Sequence, residues 1–295
     1  MIINLKYYVI TIVAIFLAIG IGIFIGIMLD GQELIVEQQQ QLVSQLESKF
    51  GDFKAKQDEQ QQRIDFLNAE REKNLRFMDI AYPEMIKNKL KDLDVVIVET
   101  SEDYSYSGIA EPFGAAGVRS VTNILIKDSF LFTDDATAQE VAKDLALKGT
   151  SKDEIQKQLL RSFTDALISG NNLQLLQYLK ERKMIDYSGG LTFPIDRIVV
   201  AGGSFTEAKE ILNKIEVPMI NIIKNSNIPI MAVEKINVAH SNIPDYKKLR
   251  ISTVDNVDTI IGKASMLMVV SGQEGHFGEK ETAEQLMPEE FITVE

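Results

Sequence analysis

The sequence contains no cysteine and only two histidines, His240 and His276. Without cysteine there is no disulfide framework, no thiolate metal centre and no cysteine nucleophile. An exported domain that needs no disulfide is compatible with that composition. The histidines are 36 residues apart, so a soft metal site would have to recruit methionines beside them. Basic residues are in deficit, 31 against 43 acidic, for a net charge of −12. Nonspecific nucleic-acid binding needs a cationic surface and is excluded on that ground. Repeats and low-complexity tracts are absent, and no nucleophile–base arrangement stands out.

Charge is missing altogether from Tyr7 to Leu29, a stretch of 23 residues. As a helix this run measures roughly 35 Å, enough to cross the hydrocarbon core of a bilayer. A cleaved export signal has a shorter apolar centre and a small-residue cleavage site, and "IMLDGQEL" offers none. The run therefore reads as a permanent anchor in the lipid bilayer, and no second run of this length follows. Lys6 precedes it, while Asp30, Glu33 and Glu37 follow. The positive-inside rule then places residues 1–6 in the cytoplasm and the remainder outside the cell membrane. Ala14, Ala18, Gly22 and Gly26 recur every four residues and form a small-residue ridge suited to helix–helix packing, although such residues are also common in membrane spans.

Proline is absent from residues 32–80, where Gly51 is the only glycine. Val36, Val43, Phe50, Ile64 and Met78 are spaced by sevens, and Leu46, Phe53 and Leu67 take the complementary seam position. This a/d pattern predicts a coiled coil, with self-association as a parallel homodimer favoured over capture of another protein's helix. Gln57, Gln60, Arg71 and Asn74 interrupt the seam, so tethering in one membrane would assist pairing. Fully helical, the stalk would be roughly 70 Å long. Pro83 is expected to end it.

Residues 92–295 are expected to form an extracytoplasmic α/β domain with a largely parallel sheet flanked by helices. "DVVIVET" reads as the first strand and the stretch around Val121–Ile126 as the next. A helix opens with Ser151 and Glu154 at capping-box spacing and stops near Gly170, followed by a shorter one in "NNLQLLQYLKERKMID". "DRIVVAGGSFTEAKEILNKI" reads as strand, glycine turn and helix, with a separate helix between Val217 and Lys224. "NIPIMAVEK" and "KASMLMVVSG" read as strands, the second placing Met266 and Met268 on one face. The C-terminal "SGQEGHFGEKETAEQLMPEEF" reads as an ordered loop and short helix.

Three places in this domain are candidate sites. Gly202, Gly203 and Ser204 follow a strand, and Ser204 has the spacing to cap a helix with Glu207, where free amides can hold an anion. The stretch matches neither a dinucleotide fingerprint nor a P-loop, and a plain tight turn is the simpler account. Asp255, Asn256 and Asp258 can offer oxygen ligands to a hard cation or form a partner-facing or structured loop. His240, His276, Met266 and Met268 are the residue types that copper would use, although methionines in an apolar strand usually belong to the core. No catalytic residue and no resident cofactor is expected.

"FLAIGIGIFIGIML", "RISTVDNVDTIIGKASMLMVVSG" and "GHFGEKETAEQLMPE" together resemble the copper transporter MctB family, to which the corynebacterial cell-envelope protein SteB also belongs. The resemblance implies a membrane-anchored protein with a coiled coil and an envelope-facing α/β domain. Two functions attach to it, copper export, described as an outer-membrane channel, and envelope assembly or cell separation through a protein partner. Combined with the residues, it leads to a non-enzymatic, dimeric scaffold of the cell envelope, with copper transport or handling as the alternative and an α/β enzyme third. The resemblance carries no copper ligand motif that can be transferred onto numbered residues.

Overall fold

The computed structural model describes residues 5–207 and 209–291. Its first element, α1, is a single helix of 82 residues, Leu5–Ile86. Lys6–Met28 is the membrane-spanning part, apolar on every side. The charged flank at Asp30, Glu33 and Glu37 has side chains outside the described residues. Beyond it α1 continues without a break through the heptad region. Pro83 does not end the helix, which continues to Ile86. Proline removes one backbone donor and crowds the preceding turn, yet Ile86 is only 1% exposed in the domain core and Tyr82 packs beside it. Packing holds the last turn that propensity would release.

The chain divides into two compact units at Leu75/Arg76. The second unit is built on a seven-stranded sheet in the order β3-β2-β1-β4-β5-β6-β7. The strands are β1 Asp94–Glu99, β2 Ser120–Ile126, β3 Ile185–Ser188, β4 Arg197–Ala201, β5 Ile230–Val233, β6 Ser252–Val254 and β7 His276–Phe277. All neighbours are parallel except β2 and β3. The helices are α2 Glu111–Ala116, α3 Asp135–Asp144, α4 Lys152–Ser169, α5 Leu173–Glu181, α6 Val217–Asn225, α7 Ile243–Lys248 and α8 Ile260–Ser271. Strand alternation divides the core in two. Val96, Val98, Ile198 and Val200 face the layer formed by α3 to α7, whereas Val95, Ile97, Val199 and Ala201 face α2, α8 and the end of α1.

Local chemistry explains several boundaries. Ser151 and Glu154 form the expected capping box of α4, and Gly170, at φ 68°, closes it. Four expectations are corrected. "KASMLMVVSG" is not a strand but most of α8, started by Thr259, whose Oγ1 accepts from the Gly262 amide at 3.0 Å. Buried nearly all round, this helix lacks the one-sided periodicity that separates helix from strand. The segments expected as two helices after "AGGSF" form one run, in which a π-helical turn, Leu212–Glu216, leads directly into α6. "MIDYS" leaves α5 to become the antiparallel edge strand β3. The C-terminal stretch adds β7 and then turns, with no helix among its described residues.

Candidate functional site

In an open parallel sheet, ligands usually settle beyond the carboxyl ends of the strands, where the strand order reverses. Here that point lies between β1 and β4, and the glycines singled out in the sequence lie directly above it. The chain fills the crevice with its own side chains. The Tyr106 hydroxyl donates to the Gly202 carbonyl at 2.5 Å, and the rings of Tyr104 and Phe205 pack at a tilt of 54° with centroids 4.5 Å apart. Asp103 accepts from the Phe205 amide at 2.8 Å, and the Tyr104 hydroxyl accepts from the Ala239 amide at 2.8 Å.

Beneath this cover lies a buried polar network that sequence reading missed. Glu216, from the π-helical turn, accepts from Thr100 Oγ1 at 2.5 Å, Tyr246 Oη at 2.7 Å and Asn242 Nδ2 at 3.0 Å. Glu234, at the end of β5, accepts from the Asn242 amide at 2.5 Å, Ser241 Oγ at 2.7 Å and Lys280 Nζ at 3.0 Å. Burial pushes the Glu216 carboxyl up to about 7 against the pull of its three donors, with the Glu234 charge adding to the rise. Burial, and then the same two carboxylates, raise the Tyr246 hydroxyl far above the ordinary phenol range. A charge at Glu216 within the apolar stretch "NKIEVPM" was the available clue.

The network explains the glycine doublet. A Cβ on Gly202 would lie 2.0 Å from Tyr246 Oη, and Gly203, at φ 95°, would bring one to 2.9 Å from Val238. Ser204 does not cap a helix, because the helical run begins only at Glu210. Instead, Ser204 pairs its backbone with His240, and its Oγ donates to the Thr206 carbonyl at 2.6 Å. The row of free amides needed for an anion is therefore not formed at Ser204.

The second loop is likewise engaged internally. Asp255 is buried and accepts from the amides of Glu279 at 2.7 Å and Lys280 at 3.1 Å, while Asn256 Nδ2 donates to Glu279 Oε1 at 3.0 Å. Asp258 accepts from the Ile236 amide at 2.9 Å. These side chains tie β5, β6 and the C-terminal stretch together, as a structured turn does.

The four soft-ligand candidates are dispersed. Met266 and Met268 do not share a face, because residues two apart on a helix project about 200° apart. Both are buried. His240 is exposed beyond the carboxyl end of β5. His276 lies at the opposite, amino-end side of the sheet, with Nδ1 3.0 Å from Thr253 Oγ1, and it borders a cleft of about 500 Å³. Burial and then the neighbouring Lys247 charge hold its imidazole below the usual histidine range. Among the described residues, no group of three or more histidine and carboxylate side chains is placed to hold a metal ion.

In α1, Val36, Val43, Leu46, Phe50, Phe53, Ile64 and Leu67 are all at least half exposed in the single chain, and Met78 is partly covered. Ala14 and Ala18 lie on the exposed span, and apart from the adjoining helix backbone nothing described lies within 4 Å of where a Cβ on Gly22 or Gly26 would stand.

Comparison with curated proteins gave no match. Residues 2–288 match the family described as "Copper transport outer membrane protein, MctB", a span that includes the membrane helix, the long helix and nearly all of the sheet domain. The chain thus belongs to the MctB copper-transport family.

Proposed function

We propose that this chain serves copper transport at the bacterial cell envelope as a non-enzymatic, single-pass membrane protein. The family match over residues 2–288 carries this reading. The basic flank at Lys6 favours a cytoplasmic amino end and an α/β domain outside the cell membrane. Passage of copper through this chain alone is disfavoured. Lys6–Met28 offers no polar stripe to line a pore, and the described strands form an open sheet covered by helices, unlike a membrane barrel. The role that fits these features is copper handling or delivery on the outer side, alongside a partner that moves the ion.

A second reading, a dimeric scaffold for an envelope protein in wall remodelling or cell separation, is favoured by the exposed heptad residues. A solvated helix of this length has only propensity to offset its ordering cost, so burying Leu46, Phe53 and Leu67 against a second copy would stabilise it. The small-residue ridge Ala14–Ala18–Gly22–Gly26 would extend that contact through the bilayer.

Deletion of the gene, combined with a competitive Cu(I) titration of the full chain in nanodiscs, tests the copper role. Copper-sensitive growth restored by the intact chain, with stoichiometric Cu(I) binding, is expected. Normal copper tolerance and no binding above background would overturn it in favour of the scaffold. Leu46→Lys, Phe53→Lys and Leu67→Lys together should abolish in-membrane cross-linking of two copies while the sheet domain melts normally. Cross-linking that survives would overturn the dimer.

A further inference from the structure

The outer domain is acidic, yet the cleft at the amino ends of β4, β5 and β6 is cationic. Arg197, Lys247 and Arg250 line it against one exposed carboxylate, Glu274, with His276 on the same wall. Beyond Ile86 the chain has five arginines. Arg119, Arg161 and Arg182 each lie within salt-bridge reach of a carboxylate. Arg197 and Arg250 do not, among the described residues, and these are the two that line the cleft.

Arg197 is already positioned. Its Nε donates to the Val270 carbonyl and its Nη1 to the Asp196 carbonyl, each at 2.9 Å, so the half-buried guanidinium is held in place without being neutralised. Three of its five N–H donors remain uncommitted in that arrangement. A partly desolvated cation with no counter-charge is unfavourable unless an anion completes it. Lys247 is oriented by the Thr282 carbonyl at 2.8 Å and Glu284 at 3.1 Å. Ile198, Ile230 and Val269 add apolar wall. The cleft volume of about 500 Å³ is in the range of small-molecule sites and larger than a bare oxyanion requires.

We propose that this cleft binds a phosphate-bearing small molecule, with Arg197 and Arg250 taking the phosphate oxygens and the apolar wall taking the organic body. A guanidinium fork matches phosphate geometry, and two unpaired forks suit a dianion. The site lies at the opposite end of the strands from the sealed crevice, and nothing in the copper reading requires it.

The test is calorimetric titration of the full chain, in zwitterionic nanodiscs, with n-butyl phosphate, inorganic phosphate and n-butanol. Saturable binding of n-butyl phosphate that weakens with added salt is expected, with inorganic phosphate and n-butanol both weaker. Arg250→Glu, at an exposed position, should reduce affinity at least about tenfold without moving the melting temperature, and Arg197→Gln should reduce affinity by at least as much. The proposal is overturned if n-butyl phosphate shows no saturable binding up to about 10 mM, or if Arg250→Glu binds it as well as the wild type. Equal affinity for inorganic phosphate would overturn the role given to the apolar wall.

Discussion

Neutralising the buried carboxylate at Glu216 should remove a specific component of the protein's pH dependence. Glu216 is 1% exposed, and its folded-state proton affinity is raised from an ordinary 4.5 to about 7, chiefly by burial. The folded protein therefore keeps a proton that the unfolded chain has released between these two values. Linkage then requires stability from this group to fall as pH rises from about 4.5 to about 7 and to level off above. The full difference corresponds to about 3 kcal/mol. His276 acts in the opposite sense, because its lowered proton affinity makes the unfolded chain bind the proton first on acidification. Glu216→Gln isolates the carboxylate, since His276 is common to both proteins.

The sequence has no tryptophan, so near-ultraviolet circular dichroism of the tyrosines, including buried Tyr106 and Tyr246, can follow unfolding of the sheet domain in the full chain. Wild type should lose stability relative to Glu216→Gln between pH 5 and pH 7, by about 2 of the full 3 kcal/mol. Glutamine remains neutral, and its carbonyl in the place of Oε2 can still accept from Tyr246 and Asn242, with its amide turned to the Thr100 hydroxyl, which can accept. A constant difference between the two proteins across that range would refute the argument, because the proton taken up on folding would then reside elsewhere. Glu216→Ala should be destabilised at every pH, since it leaves Tyr246 Oη and Asn242 Nδ2 without this acceptor in a new cavity.

Two stability predictions follow from backbone geometry. Gly202→Ala should cost more than about 2 kcal/mol, because its methyl group would meet Tyr246 Oη at 2.0 Å and Glu216 Oε1 at 3.2 Å, measured as a lower melting temperature with loss of the Tyr246 dichroism. An unchanged melt would show that the network is free to move aside. Ser151→Ala removes the cap of α4 and should cost about 1 kcal/mol, whereas Ser151→Asp should retain most of it in the same denaturant titration.

Much of the architecture was legible because particular residues carry strong local signals. The uncharged run marked the membrane helix by length alone, and Ser151, Glu154 and Gly170 marked both ends of α4. β1 and β4 were legible as short β-branched runs, as buried parallel strands require. Signals failed where burial is uniform or where packing overrides propensity. Met266 and Met268 read as strand because α8 is apolar all round, and Pro83 read as a stop because the coverage of Ile86 depends on distant residues. The polar networks were the least legible. Glu216, Glu234 and Lys280 are separated by tens of residues, and only the crossover connections bring them to one end of the sheet.

The glycine doublet shows a turn that needs glycine for its packing and its backbone rather than for a ligand. Gly202 and Gly203 occupy the turn where many α/β proteins receive a phosphate, and the conformational demand on them is real, since Gly203 has φ 95°. That space is filled from within by Tyr106, Tyr246, Glu216 and Glu234, which are bonded to one another or to neighbouring groups of the chain. The unpaired arginines lie instead at the amino ends of the same strands, where no helix start or glycine fingerprint advertised them. A ligand anion entering this domain would find the familiar crevice occupied by the chain's own side chains and be drawn instead to the edge held by Arg197 and Arg250.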